Sequence, residues 1–60
     1  MSATKDEILF QIEILYDFAE DTKNLDEMVV EKISKNFKIS MSEAIQYVEE
    51  YKALRKQGLT

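Results

Sequence analysis

Ser40-Met-Ser-Glu-Ala-Ile-Gln-Tyr-Val-Glu-Glu-Tyr-Lys-Ala-Leu-Arg-Lys-Gln-Gly-Leu59 contains both ends of a helix. Ser40 stands three residues before Glu43, the spacing at which a hydroxyl accepts from a first-turn N–H while the carboxylate reaches back toward the cap. Apolar residues then recur at Ala44, Val48, Tyr51 and Leu54, the three- and four-residue steps that share one helix face. Glu43, Glu49 and Glu50 precede Lys52, Arg55 and Lys56, the charge order that the helix macrodipole favours. Gly58 supplies the left-handed residue that closes a helix, and Leu59 is placed to fold back on Leu54. A helix over residues 41–57 follows.

The same start signal occurs twice upstream. Asn24 with Glu27 leads into Leu25, Val29, Ile33 and Phe37, which predicts a helix over 25–37. Thr4 with Glu7 leads into Ile8, Ile12, Leu15 and Ala19, which predicts a helix over 5–23. Strand-like alternation, internal repeats and low-complexity segments are all lacking. The connections around Lys23 to Asn24 and Lys38 to Ile39 are short, so each helix must turn back on its neighbour. The expected fold is all-α, a compact three-helix bundle or helical hairpin arrangement, formed as a single helical domain over residues 1–60.

Composition agrees with that reading and narrows the function. The 60 residues are 45% hydrophobic and 33% charged, with one Gly and no Pro, which suits helices and not linkers. A chain this short buries only ~60% of its unfolded surface and leaves no room for a second domain. It has no Cys and no His. Disulfides, nitrogen or sulfur zinc sites, and Ser-His or Cys-His nucleophile pairs are therefore not to be built from it. The acidic start at Asp6 and Glu7 lacks the pattern of a signal peptide, and Glu13 and Asp17 interrupt the most apolar stretch well short of the ~20 residues of a membrane span. The expected compartment is the cytoplasm. A net charge of -4 argues against simple adhesion to nucleic acid or anionic lipid. The charge is also lopsided: residues 1–31 hold nine acids and two lysines, whereas residues 32–60 hold three acids and six bases. Such a dipole would favour antiparallel self-association or attract a basic partner, unless it is simply a solvated surface.

One apolar stripe exceeds what a small core needs. On the first helix Ile8, Leu9, Ile12, Leu15, Tyr16 and Ala19 form a broad face suited to packing against two neighbours. Phe10, Ile14 and Phe18 form a second ridge at i, i+4, i+8, separated from that face by Glu13, Asp17 and Glu20 on one side and Gln11 and Thr22 on the other. Full burial of such a side chain contributes about 1.5–3 kcal/mol, large beside the ~3–5 kcal/mol available to a domain of this size. Three coverings are open: the other two helices, a second copy of the chain, or a different protein received in helix-in-groove fashion. The second is preferred. The tyrosines Tyr16, Tyr47 and Tyr51 read as core-edge residues with hydroxyls in water, and Met28 and Met41 as fillers at helix ends.

Carboxylate chemistry at Glu13 with Asp17, or Asp17 with Asp21, would need a cleft that a bundle this small seldom has, so the chain is not expected to be an enzyme and no cofactor or metal is expected. Glu20 to Glu27 has neither the ligand register nor the central Gly of a calcium loop. Ile33 to Val48 resembles a helix-turn-helix unit, with Ile39 in the turn, Ser40 opening the second helix, and Ala44 and Val48 packing inward. That resemblance implies DNA binding, with Lys32, Lys35 and Lys38 near the phosphates. Against it, the second helix would present Glu43, Glu49 and Glu50 outward, and Lys38 occupies the turn position usually held by Gly. The acids Glu13, Asp17, Glu20 and Asp21 suggest another alternative, an antagonist that covers a basic surface of a larger protein. The expected function is a small non-enzymatic interaction or regulatory module. It is expected to be homodimeric through Phe10, Ile14 and Phe18, with Asp17 and Asp21 available to a partner; no membrane ligand is expected, and DNA binding stands as the alternative, less favoured than a protein partner.

Overall fold

Thr4 begins the first helix as its sequence requires: the Glu7 N–H donates to Thr4 Oγ1 at 3.2 Å. In a computed structural model that describes residues 4–20 and 23–58, three helices follow in order: α1 (Lys5–Asp17), α2 (Leu25–Phe37) and α3 (Met41–Lys56). Each packs against the other two. The fold is an all-α three-helix bundle, and among the described residues no helix is long and apolar enough to cross a membrane.

Ile8 and Ile12 of α1, Val29, Val30 and Ile33 of α2, and Ala44, Val48 and Tyr51 of α3 form the buried centre. Leu9, Leu15, Tyr16, Leu25, Phe37 and Ile39 pack around it. These are the residues that the 3.6-residue period gathers on one face of each helix. Val30 is the addition. It lies beside Val29 on the wide inner face of α2, which must serve both neighbours.

α1 is shorter than the expected 5–23, ending at Asp17 with Phe18 as its C-cap at φ -103° and ψ 9°. Its last turn has no basic residue, and continuing would place Asp17, Glu20 and Asp21 together at the negative end of the macrodipole. A helix reaching Lys23 would also leave no connection able to reverse the chain into α2. Ala19 is half-buried outside the helix.

α2 begins differently from its sequence signal. Asn24 is left-handed, at φ 58° and ψ 29°, and its side chain makes no capping bond. Asn tolerates that conformation better than most residues, so its role here is to turn the backbone. α2 ends in a Schellman stop built around Lys38, at φ 54° and ψ 45°: the N–H groups of Lys38 and Ile39 both reach the Ser34 carbonyl. The Ser34 hydroxyl donates to the Ile39 carbonyl at 2.7 Å and ties the turn from outside. Ser40 then caps α3, accepting from the Glu43 N–H at 3.1 Å. At the far end Gly58 is left-handed, at φ 77°, as expected; Leu59 lies outside the described residues.

Candidate interaction surface

The second ridge of α1 stays on the outside. Phe10 lies roughly 160° round the helix from Ile8, at about 100° per residue, and α2 and α3 both pack on the Ile8 side. Phe10 is 61% exposed and Phe18 79%, whereas Ile14 between them is half-buried. The Phe18 N–H still donates to the Ile14 carbonyl at 3.0 Å, so the ridge continues onto the cap although the helix has ended. The other two helices do not wrap far enough to cover these rings.

Around the ends of the helices, oppositely charged side chains pair across the bundle, in both directions between α3 and the N-terminal half. Asp17 Oδ1 accepts from Arg55 at 3.4 Å, Asp26 Oδ2 from Lys52 at 2.8 Å, and Glu50 Oε1 pairs with Lys5 at 2.8 Å. The Asp17 and Asp26 pairs join the acidic half of the sequence to its basic half, whereas Lys5–Glu50 runs the other way; all three are exposed pairs of the kind that contribute ~0–1 kcal/mol each. Asp17 is accordingly engaged, and Asp21 lies outside the described residues.

Tyr16 lies at the core edge as expected and Tyr51 inside the core, but both hydroxyls have protein partners. Their rings stack with centroids 5.5 Å apart and planes 2° from parallel, and Tyr51 is buried. The Tyr16 hydroxyl donates to Asp26 Oδ1 at 2.6 Å, and the Arg55 guanidinium donates to the Tyr51 hydroxyl while lying 5.9 Å from its ring centroid. Burial first, and then the bond to Asp26, push the Tyr16 phenol above its ordinary 10.0. The Lys52 ammonium first, and then the Tyr16 hydroxyl, hold the Asp26 carboxyl below its ordinary 3.8. Together these groups latch the end of α1 to the start of α2 and the end of α3. Only Tyr51 with Arg55 has a local spacing, i, i+4 on α3; the other members meet only when the helices are packed.

Comparisons with known protein families, curated proteins and solved structures return no match. Among the described residues no three carboxylates converge to hold a metal ion. On α3, Ser42, Glu43, Gln46 and Glu49 are exposed and Glu50 is half-buried, so a phosphate backbone laid on this helix would meet carboxylates. Lys32, Lys35 and Lys38 are exposed, with Lys35 held 3.5 Å from Glu31. Met41 is no buried filler: it is 50% exposed, beside Ile45 at 48%. These two residues form a second apolar surface that the wheel of α3 did not single out, because its inward stripe runs through Ala44, Val48 and Tyr51.

Proposed function

We propose that this chain is a non-enzymatic protein–protein interaction module that self-associates as a homodimer through Phe10, Ile14 and Phe18. The observation that carries this reading is the exposure of Phe10 and Phe18 on one side of a molecule that, among the described residues, buries eight apolar side chains completely or nearly so. Burying each of these rings contributes up to about 1.5–3 kcal/mol. A two-fold interface uses the same patch on both protomers and so counts that gain twice. The half-buried Ile14 joins the patch to the core, and the Asp17–Arg55 pair supplies a polar rim beside it.

Sedimentation equilibrium over a wide concentration range tests the proposal, with wild type compared against Phe10→Glu and Phe18→Glu. Both positions are exposed, so a charge there acts on association and not on the monomer fold, which circular dichroism verifies. Ile14→Glu is expected to abolish association too, although its half-buried site makes loss of fold a second effect. A dimeric wild type and monomeric, folded glutamate variants are expected. A wild type that stays monomeric throughout, or a Phe10→Glu variant that stays fully dimeric, overturns the assignment.

A further inference from the structure

The seam between α2 and α3 carries a different surface. A groove of about 420 Å³ runs along it, lined solely by residues of those two helices. Its apolar floor is Val30, Met41, Ile45 and Val48. Asp26, Glu27 and Glu31 stand on the α2 wall, with Glu49 and Lys52 on the α3 wall, leaving a rim of four carboxylates and one ammonium. Lys52 is already paired with Asp26 at 2.8 Å. Among the described residues Glu27 and Glu49 form no ion pair, and Glu31 meets only Lys35, across 3.5 Å on the exposed surface. The groove therefore shows an incoming ligand an apolar floor between carboxylates, of which Glu27 and Glu49 form no ion pair among the described residues.

We infer that this groove docks a basic amphipathic helix of a partner protein. Met41, Ile45 and Val48 follow one another at four- and three-residue steps along α3, the spacing into which the i, i+3, i+4, i+7 anchors of an incoming helix fit. Lysines or arginines flanking those anchors reach Glu27 and Glu31 on one side and Glu49 on the other. Charge decides the occupant. The α1 ridge of a second copy brings Glu13, Asp17 and Glu20 with it, and these meet the rim with like charge. Nucleic acid and anionic lipid are repelled for the same reason. The inference is independent of self-association through α1, since no α1 residue lines the groove.

The probe is a synthetic, fluorophore-labelled, amidated peptide of about 14 residues, close to four helical turns, with leucines on one face and lysines on both flanks. Its partner is a peptide of the same composition with the leucines scattered round the helix. Fluorescence polarisation is expected to show saturable binding of the amphipathic peptide to wild type, weakened as added salt screens the rim. The scattered peptide should bind at least ~10-fold more weakly, and Ile45→Lys and Met41→Lys should each weaken the amphipathic peptide by ~10-fold or more, as for anchors at the centre of an interface. Glu27→Lys should both weaken binding and flatten its salt dependence. Phe10→Glu should bind like wild type, so failure of the dimer leaves this result untouched. Equal binding of the two peptides, no saturable binding, unchanged affinity in folded Ile45→Lys and Met41→Lys, or loss of the peptide in Phe10→Glu would each overturn the inference.

Discussion

Lys38→Gly is expected to stabilise the protein, and the size of the effect follows from the backbone of one residue. Lys38 sits at φ 54° and ψ 45°, where the Cβ of an L-residue crowds the following carbonyl, a strain of about 1–2 kcal/mol. Glycine removes the Cβ but loses more backbone freedom on folding, which returns about 0.5–1 kcal/mol. The net gain is about 0.5–1 kcal/mol, or roughly 2–8 °C in Tm for a domain of this size. Nothing else is lost with the side chain: Lys38 is exposed and forms no ion pair among the described residues. Ser34 holds the turn whatever stands at 38, accepting from the N–H groups of residues 38 and 39 and donating to the Ile39 carbonyl. Lys38→Ala is the control, because it removes the charge and keeps the Cβ. Urea and thermal denaturation followed by circular dichroism, at one protein concentration so that association does not shift Tm, should place Lys38→Gly above both wild type and Lys38→Ala. A glycine variant no more stable than the alanine variant would refute the assignment of strain to this turn.

The other expectations concern caps and protons. Ser40→Ala should cost about 1 kcal/mol in urea denaturation through loss of the α3 cap, and Ser34→Ala about as much through the part-buried bond to Ile39. Because Lys52 and Tyr16 depress the Asp26 carboxyl, its stabilising contribution is present above the ordinary value of 3.8 and is lost as pH falls through the lower folded-state value. Asp26→Asn should flatten that acid limb of the stability curve, and an unchanged acid limb would count against the network. Tyr16 behaves in the opposite sense: its folded-state value is raised, so its contribution is complete below the ordinary 10.0 and is lost as pH rises through the folded-state value. Absorbance titration of the phenolates should show a late component that disappears in Tyr16→Phe.

The two apolar surfaces differ in how they could be found. Phe10, Ile14 and Phe18 repeat at i, i+4, i+8 within one helix, so their alignment needs only the helical period, and their exposure follows once Ile8 and Ile12 claim the core. The α2–α3 groove has no such signature. Val30, Ile45 and Met41 come from two helices, and their neighbours along the chain give each of them an ordinary explanation as core or filler. The same holds for the stacked Tyr16 and Tyr51 and for Asp26 between Tyr16 and Lys52. Each partner is unremarkable alone, and the contact appears only when α1, α2 and α3 come together.

Local chemistry was enough for the number and order of the helices. Thr4 and Ser40 make the capping bonds their spacing implies, Gly58 takes the left-handed turn, and the buried residues are those in phase with the helical repeat. Those interactions close within a few residues of one another and need no contribution from a neighbouring helix. The end of α1 at Asp17, the backbone role of Asn24 and the pairing of acidic with basic halves were decided by the tertiary structure. In each of these cases the competing local options differ by about 1 kcal/mol or less. Packing three helices round one core, and the need to reverse the chain between them, outweighs differences of that size.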